Sequence, residues 1–201
     1  MKVTLIDYGA GNVPSVERAL RRLGAQVETT NTAEKIAAAH CLVLPGVGHC
    51  AALIAALDAH ALRQPIRKAI GRGTPFLGIC LGLQALYESS EEAPKLPSLG
   101  ILSGHVTRLP KGVKLPHMGW NTLRTTRPNR LLASIPADAY FYFAHSFAAP
   151  ATGNENTATC NHGREFIAVV EKENLFAVQF HPEKSGTAGA QVLQNFLRAA
   201  A

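Results

Sequence analysis

Thr74-Pro75-Phe76-Leu77-Gly78-Ile79-Cys80-Leu81-Gly82-Leu83-Gln84-Ala85-Leu86-Tyr87 passes from a short apolar run into a helical pattern, with a cysteine at the joint. The run from Thr74 to Ile79 reads as a buried strand and Leu81 to Tyr87 as the helix after it. Gly78-Ile79-Cys80-Leu81-Gly82 therefore has the form of a nucleophile elbow, whose glycines permit a sharp turn with the central residue in strained backbone space. Such a turn lifts the sulfur out of the sheet to a helix N-terminus, where free N–H groups and the dipole favour negative charge. A neighbouring N–H can also hold an oxyanion. The five residues alone are equally compatible with a buried structural cysteine.

Outward from the elbow, the first half alternates strand and helix. Val3–Ile6, Gln26–Thr30, Leu42–Leu44 and Phe76–Ile79 read as strands, and Val13–Leu23, Ala51–Leu57 and Leu62–Ile70 as helices. Pro14 suits a first helical turn and Gly24 a helix stop. The alternation predicts an α/β fold, a flavodoxin-like parallel-core sheet with helices on both faces. From about Pro94 to Pro136 Gly and Pro punctuate short strand-like pieces (Leu99–Leu109, Leu115–Trp120), which predicts a small antiparallel insertion. Strand patterns return at Ala139–Phe143, Ile167–Val170 and Phe176–Phe180, and an amphipathic helix closes the chain. At 201 residues the whole is expected to be a single domain, 1–201.

Composition narrows the function. A 47% hydrophobic content is ordinary for a soluble α/β protein, and no run is long enough for a bilayer span. The N-terminus enters a strand without a signal-peptide pattern, so a cytoplasmic location is expected. Cys41, Cys50, Cys80 and Cys160 are too scattered for a disulfide framework, and no metal-ligand spacing accompanies them. The net charge of +6 is diffuse; its densest cluster, Arg18, Arg21 and Arg22, reads as a solvated helix face or a rim for an acidic partner. No basic run interleaved with aromatics points to nucleic acid.

Three further motifs join the elbow. His181-Pro182-Glu183 follows the strand Phe176–Phe180; a cysteine nucleophile needs a base, and a carboxylate fixes that base's tautomer. Leu44-Pro45-Gly46-Val47-Gly48 ends a strand with backbone amides free for an oxyanion or a carboxylate. Asp7-Tyr8-Gly9-Ala10-Gly11-Asn12 superficially resembles a dinucleotide fingerprint, but Pro14 stands where the third glycine belongs, so no nucleotide cofactor is expected.

Together these motifs resemble the class I (triad) glutamine amidotransferases. Within that class, Gly9-Ala10-Gly11-Asn12, His117-Met118-Gly119-Trp120-Asn121 and Pro182-Glu183-Lys184-Ser185 resemble the glutaminase-subunit family of imidazole glycerol phosphate synthases, enzymes of histidine biosynthesis. The resemblance spans essentially the whole chain. It implies Cys80 as nucleophile, His181 as base and Glu183 as its orienter, with no cofactor and no metal. Oxyanion donors would be the N–H of Leu81 and one from Gly46-Val47-Gly48, where a peptide flips before the hole forms. Gly46, Gln84 and Ser146 would hold the glutamine substrate. Asn12, Met118, Trp120, Tyr142 and Lys184 would face a cyclase subunit, a (β/α)8 barrel, in a heterodimer that receives the ammonia and makes imidazole glycerol phosphate and AICAR. His49-Cys50, Phe147 and Cys160-Asn161-His162-Gly163 depart from the family's usual residues without touching the triad. Two enzyme alternatives are the glutaminase of pyridoxal phosphate synthase and a peptidase or deglycase of related fold. A non-catalytic flavodoxin-like module would lack one of Cys80, His181 and Glu183, and all three are present.

Overall fold

The structure, a computed structural model, describes residues 1–9, 12–153 and 155–201; Ala10 and Gly11 of the first loop motif lie outside the described residues. The N-terminal half runs β1 (Lys2–Ile6), α1 (Val13–Arg22), β2 (Gln26–Thr30), α2 (Ala33–Ala37), β3 (Leu42–Leu44), α3 (Cys50–Ala59), α4 (Arg63–Gly71), β4 (Phe76–Ile79) and α5 (Leu81–Gln84). The middle of the chain supplies β5 (Ser89–Ser90), β6 (His105–Arg108), β7 (His117–Thr122), β8 (Arg124–Thr125), β9 (Tyr140–His145) and β10 (Phe147–Ala148). β11 (Asn156–Asn161), β12 (Glu165–Lys172), β13 (Leu175–Val178), a 3-10 turn (Pro182–Lys184) and α6 (Gly186–Ala199) follow.

Among the described residues an eight-stranded sheet has the order β2-β1-β3-β4-β13-β12-β11-β8. β2, β1, β3, β4 and β13 are parallel neighbours, and β12, β11 and β8 extend the sheet antiparallel. The central parallel strands β3, β4 and β13 are continuously apolar because helices cover both faces, whereas the edge strand β2 buries only Val27 and Thr30. Alternation along each strand divides the core: Val3, Leu5, Val43 and Leu77 pack with α1 and α6 through Val16, Leu20, Val192 and Phe196. Ile6, Leu42, Leu44 and Phe76 pack with α3 and α4 through Leu53, Leu57 and Ile66.

The expected insertion is present, and its pairing is mixed. β7 and β9 form an antiparallel two-stranded ribbon, β10 pairs antiparallel with β6, and β6 pairs parallel with β5. The helix expected over Leu81–Tyr87 stops at Gln84. Its following carbonyls are claimed from outside: Ala85 accepts from Leu99 N–H, and Leu86 from Ile101 and Leu102. The strand-like run at Leu99 is thereby spent as a strap under the elbow helix. No helix among the described residues is long and apolar enough to cross a membrane.

β3, β4 and β13 are adjacent and parallel, so the loops that leave their carboxyl ends emerge side by side. Open α/β sheets place their sites at such ends. These three loops carry Gly46-Val47-Gly48, Cys80 and His181.

Candidate active site

Cys80 sits between β4 and α5 with φ 54° and ψ −106°. A side chain in this left-handed region costs of order 1–3 kcal/mol and persists only where the surroundings enforce it. The enforcement is visible: Cys80 N–H donates to Val178 O at 2.8 Å, and its carbonyl accepts from Leu83 and Gln84 N–H at 3.0 and 3.2 Å. Gly82 closes the turn against β3, where a Cβ would stand 2.0 Å from the Leu44 carbonyl oxygen.

After β13 the 3-10 turn folds the chain back, which brings an acid two residues from a histidine onto its ring. His181 Nδ1 donates to Glu183 Oε1 at 2.9 Å, and Asn12 Nδ2 donates to the same oxygen at 3.0 Å. The turn is pinned to β9. His181 N–H donates to Tyr142 O at 2.8 Å, while the Ser185 hydroxyl donates to His181 O at 2.6 Å and accepts from Tyr142 N–H at 2.9 Å. With Nδ1 committed to the carboxylate, Nε2 is the nitrogen left for the Cys80 sulfur. Burial alone would push His181 down, but the adjacent Cys80 sulfur and the Glu183 carboxylate outweigh it and raise its pKa to about 10. Burial pushes Glu183 up, and the His181 and Asn12 hydrogen bonds reverse this and hold it below the ordinary carboxylate range. The arrangement favours an imidazolium between the Cys80 sulfur and the Glu183 carboxylate.

These groups open onto a cleft of about 380 Å³. Asn12, Val47, Gly48, Cys80, Leu81, Gln84, Ser146, His181 and Lys184 line it, so nine residues singled out from the sequence meet at one site. Gly46 reaches the site through its backbone: its carbonyl accepts from Leu81 N–H at 3.4 Å. One of the two expected oxyanion donors is thus facing a carbonyl oxygen. The close approach needs a glycine, since a Cβ on Gly46 would lie 2.6 Å from Leu81 Cβ.

The cleft also holds residues that the sequence reading passed over. Glu92 lines it, with Oε2 accepting from Cys50 N–H at the start of α3 at 2.7 Å. His145 lines it from the end of β9 and belongs to a buried chain of donors. Asn121 Nδ2 approaches His117 Nε2 at 3.3 Å, His117 Nδ1 approaches His145 Nε2 at 3.1 Å, and His145 Nδ1 donates to Phe147 O at 2.9 Å. Burial, with neighbouring histidines, pushes His117 down to about 4 and His145 down to about 3, so both rings are neutral. Gln179, fully buried, donates from Nε2 to Cys80 Sγ at 3.5 Å. Its signal in the sequence was an amide inside the apolar strand run Phe176–Phe180, two residues before His181. The histidine chain had no such signal, because its partners stand 28 residues apart.

Beside the cleft, β7 and β9 present an apolar face. Met118 and Trp120 are 64% and 55% exposed, far more than large apolar side chains in a core. Trp120 meets Tyr142 edge-on at 5.8 Å, and the Lys184 ammonium stands 5.8 Å from the Tyr142 ring centroid. With Asn12 and Lys184 at the cleft's rim, the five residues expected at an interface border the site.

Comparison with known proteins gives a consistent picture. The family model described as glutamine amidotransferase class-I matches residues 4–200. The imidazole glycerol phosphate synthase subunit HisH of Moorella thermoacetica is 48% identical over 195 residues, covering 96% of this chain and 93% of that protein. The chloroplastic imidazole glycerol phosphate synthase hisHF of Arabidopsis thaliana is 42% identical over 200 residues, covering 97% of this chain but 34% of the longer plant protein. Among solved structures, a glutamine amidotransferase crystal structure superimposes with a TM-score of 0.77 at 20% identity, covering 98% of each chain, a likeness of fold.

Proposed function

The chain belongs to the class-I glutamine amidotransferase family, and we propose that it uses Cys80, His181 and Glu183 to release ammonia from glutamine within an imidazole glycerol phosphate synthase of histidine biosynthesis. The whole chain, 1–201, acts as one domain in this reading. The observation that carries it is the strained Cys80 held beside a histidine whose other nitrogen is bound to a buried carboxylate.

The Cys80 sulfur attacks the carboxamide carbon of glutamine, and His181 delivers its proton to the departing nitrogen, so ammonia leaves a γ-glutamyl thioester. Water, deprotonated by the now neutral His181, attacks the thioester; glutamate departs and the sulfur is regenerated. Each tetrahedral intermediate places an oxyanion near Leu81 N–H. That donor now faces the Gly46 carbonyl, so the Gly46–Val47 peptide turns over before reaction and offers the Val47 N–H instead. Substrate recognition follows from which groups are still open. Gln84 Nε2 is spent on Phe147 O and Gln179 Oε1, leaving its own Oε1 for the α-ammonium, with the Glu92 carboxylate as the charged partner. The Ser146 carbonyl is engaged by Leu109 N–H, so the α-carboxylate meets the Ser146 N–H or hydroxyl.

Met118, Trp120, Tyr142, Lys184 and Asn12 form the docking face for the cyclase subunit in this reading. An exposed aromatic and methionine cluster at the mouth of a site is what an interface core requires. The plant relative's greater length, in a protein named for the whole synthase, supports a partner in the same assembly. The test is glutamate release from glutamine by the chain with and without a barrel cyclase carrying its nucleotide ligand. Strong stimulation is expected. Cys80→Ala should abolish the glutamine-dependent reaction while the complex still uses added ammonium. Glutamate release by Cys80→Ala at the parent rate would refute the triad.

A further inference from the structure

The Cys80 sulfur has a second neighbour besides His181, and hydrogen-bond logic fixes what that neighbour does. His145 Nδ1 and Gln84 Nε2 both point at the Phe147 carbonyl, at 2.9 and 2.7 Å. A carbonyl can only accept, so the Gln84 atom on it must be the NH2 nitrogen. That nitrogen's other partner, 3.0 Å away, must then be an acceptor, which makes it the Gln179 oxygen. The Gln179 amide cannot be flipped without setting NH2 against NH2. Its NH2 is therefore turned to Cys80 Sγ, 3.5 Å away.

From this geometry we propose that Gln179 is a further catalytic residue, a neutral donor whose N–H bond holds and stabilises the Cys80 sulfur as an anion. The proposal rests on Cys80 being the nucleophile. His181 cannot fill this role throughout the cycle, since it gives its proton to the leaving ammonia and the sulfur must be regenerated as that proton moves. The Gln179 donor does not exchange protons and stays in place through both halves of the reaction. Full burial shields the bond from water, which strengthens it and excludes a competing donor. The orientation is secured from behind, because Gln84, Phe147 and His145 each have one permitted direction.

The test compares Gln179→Glu and Gln179→Met with the parent chain. Glutamate has the same shape and keeps an acceptor for Gln84 Nε2 but gives up the amide donor; methionine fills the space without polar atoms. Iodoacetamide reaction is followed at pH 7 on the Cys80 peptide by mass spectrometry, and glutaminase activity is measured in the complex with the cyclase. Loss of a hydrogen bond to a charged group predicts about tenfold slower alkylation in both variants. The same loss predicts kcat lower by about tenfold or more, with KM within about twofold. Folded variants that alkylate and turn over at the parent rates overturn the proposal. Should both variants fail to fold, the parent chain still decides. Alkylating Cys80 must shift the Gln179 side-chain amide pair in a 1H–15N spectrum, and an unmoved pair overturns the proposal. Full Cys80 alkylation that leaves glutamate release intact strikes the nucleophile assignment instead, so the two failures are distinct.

Discussion

Replacing His145 by glutamine should remove about 2 kcal/mol of acid sensitivity from folding stability between pH 7 and pH 5. In the folded chain the His145 pKa is pushed down to about 3 from 6.5, burial being the main cause; His117, His181 and His162 add to it and the Phe147 carbonyl opposes it. Because the folded value is the lower one, the unfolded chain takes up a proton that the folded chain refuses. The stability this group contributes is complete well above pH 6.5 and is lost as pH falls from 6.5 toward about 3. At pH 5 the unfolded imidazole is 1.5 units below its 6.5 midpoint while the folded ring is still neutral. At about 1.36 kcal/mol per unit the loss is about 2 kcal/mol. His117, held down to about 4 by burial and then by His162, loses stability over the same interval in the same direction. His181, raised to about 10, keeps its proton in the folded chain across that range and offsets part of the sum. Comparing the His145→Gln variant with the parent chain cancels both, provided the new amide supplies the acceptor that His117 Nδ1 requires. The assay is urea unfolding followed by far-UV circular dichroism at pH 5, 6, 7 and 8. At pH 7 the variant should be less stable by about 1 kcal/mol for its imperfect hydrogen bonds, and the two curves should converge or cross on acidification. Identical slopes for both chains between pH 7 and pH 5 would refute the neutral-histidine chain.

Two further outcomes are expected. Trp120→Ala should weaken association with the cyclase subunit by about 2 kcal/mol, near thirtyfold in Kd, while the melting temperature of the chain alone barely moves because the ring is 55% exposed; titration calorimetry giving an unchanged Kd would remove Trp120 from the interface. Gly82→Ala must displace either the elbow or β3, given a Cβ 2.0 Å from the Leu44 oxygen, so we expect more than about 3 kcal/mol lost in urea unfolding or activity reduced at least about a hundredfold; a stable and fully active variant would mean that the elbow is not packed in this way.

What the sequence disclosed follows the range of the forces involved. β1, β3, β4 and β13 are predominantly apolar runs buried along nearly their whole length, and such runs announce themselves locally. The elbow and the His-Pro-Glu turn were legible for the same reason: each needs particular residues at fixed short spacing. α2 escaped because it is five residues long and buries only Ile36. β11, Asn-Thr-Ala-Thr-Cys-Asn, sends only the small Ala158 and Cys160 into the core and is otherwise polar, paired on both sides by β12 and β8, so periodicity had little apolar signal to register. The shortening of α5 depended on Leu99, Ile101 and Leu102 arriving from elsewhere to take its carbonyls. Gln179 and Gln84 lie 95 residues apart, and only the fold shows that one amide sets the direction of the other.

The Gly46 carbonyl on Leu81 N–H has a consequence for inhibition. A glutamine analogue bearing an aldehyde gains most of its affinity as a tetrahedral adduct, whose oxygen needs two N–H groups and here would meet another oxygen. If the partner turns that peptide over as the proposed function requires, such a compound should bind the chain alone poorly and the assembled chain tightly. Its affinity would then gauge the position of a single peptide group, and the compound would select the working enzyme over its unassembled subunit.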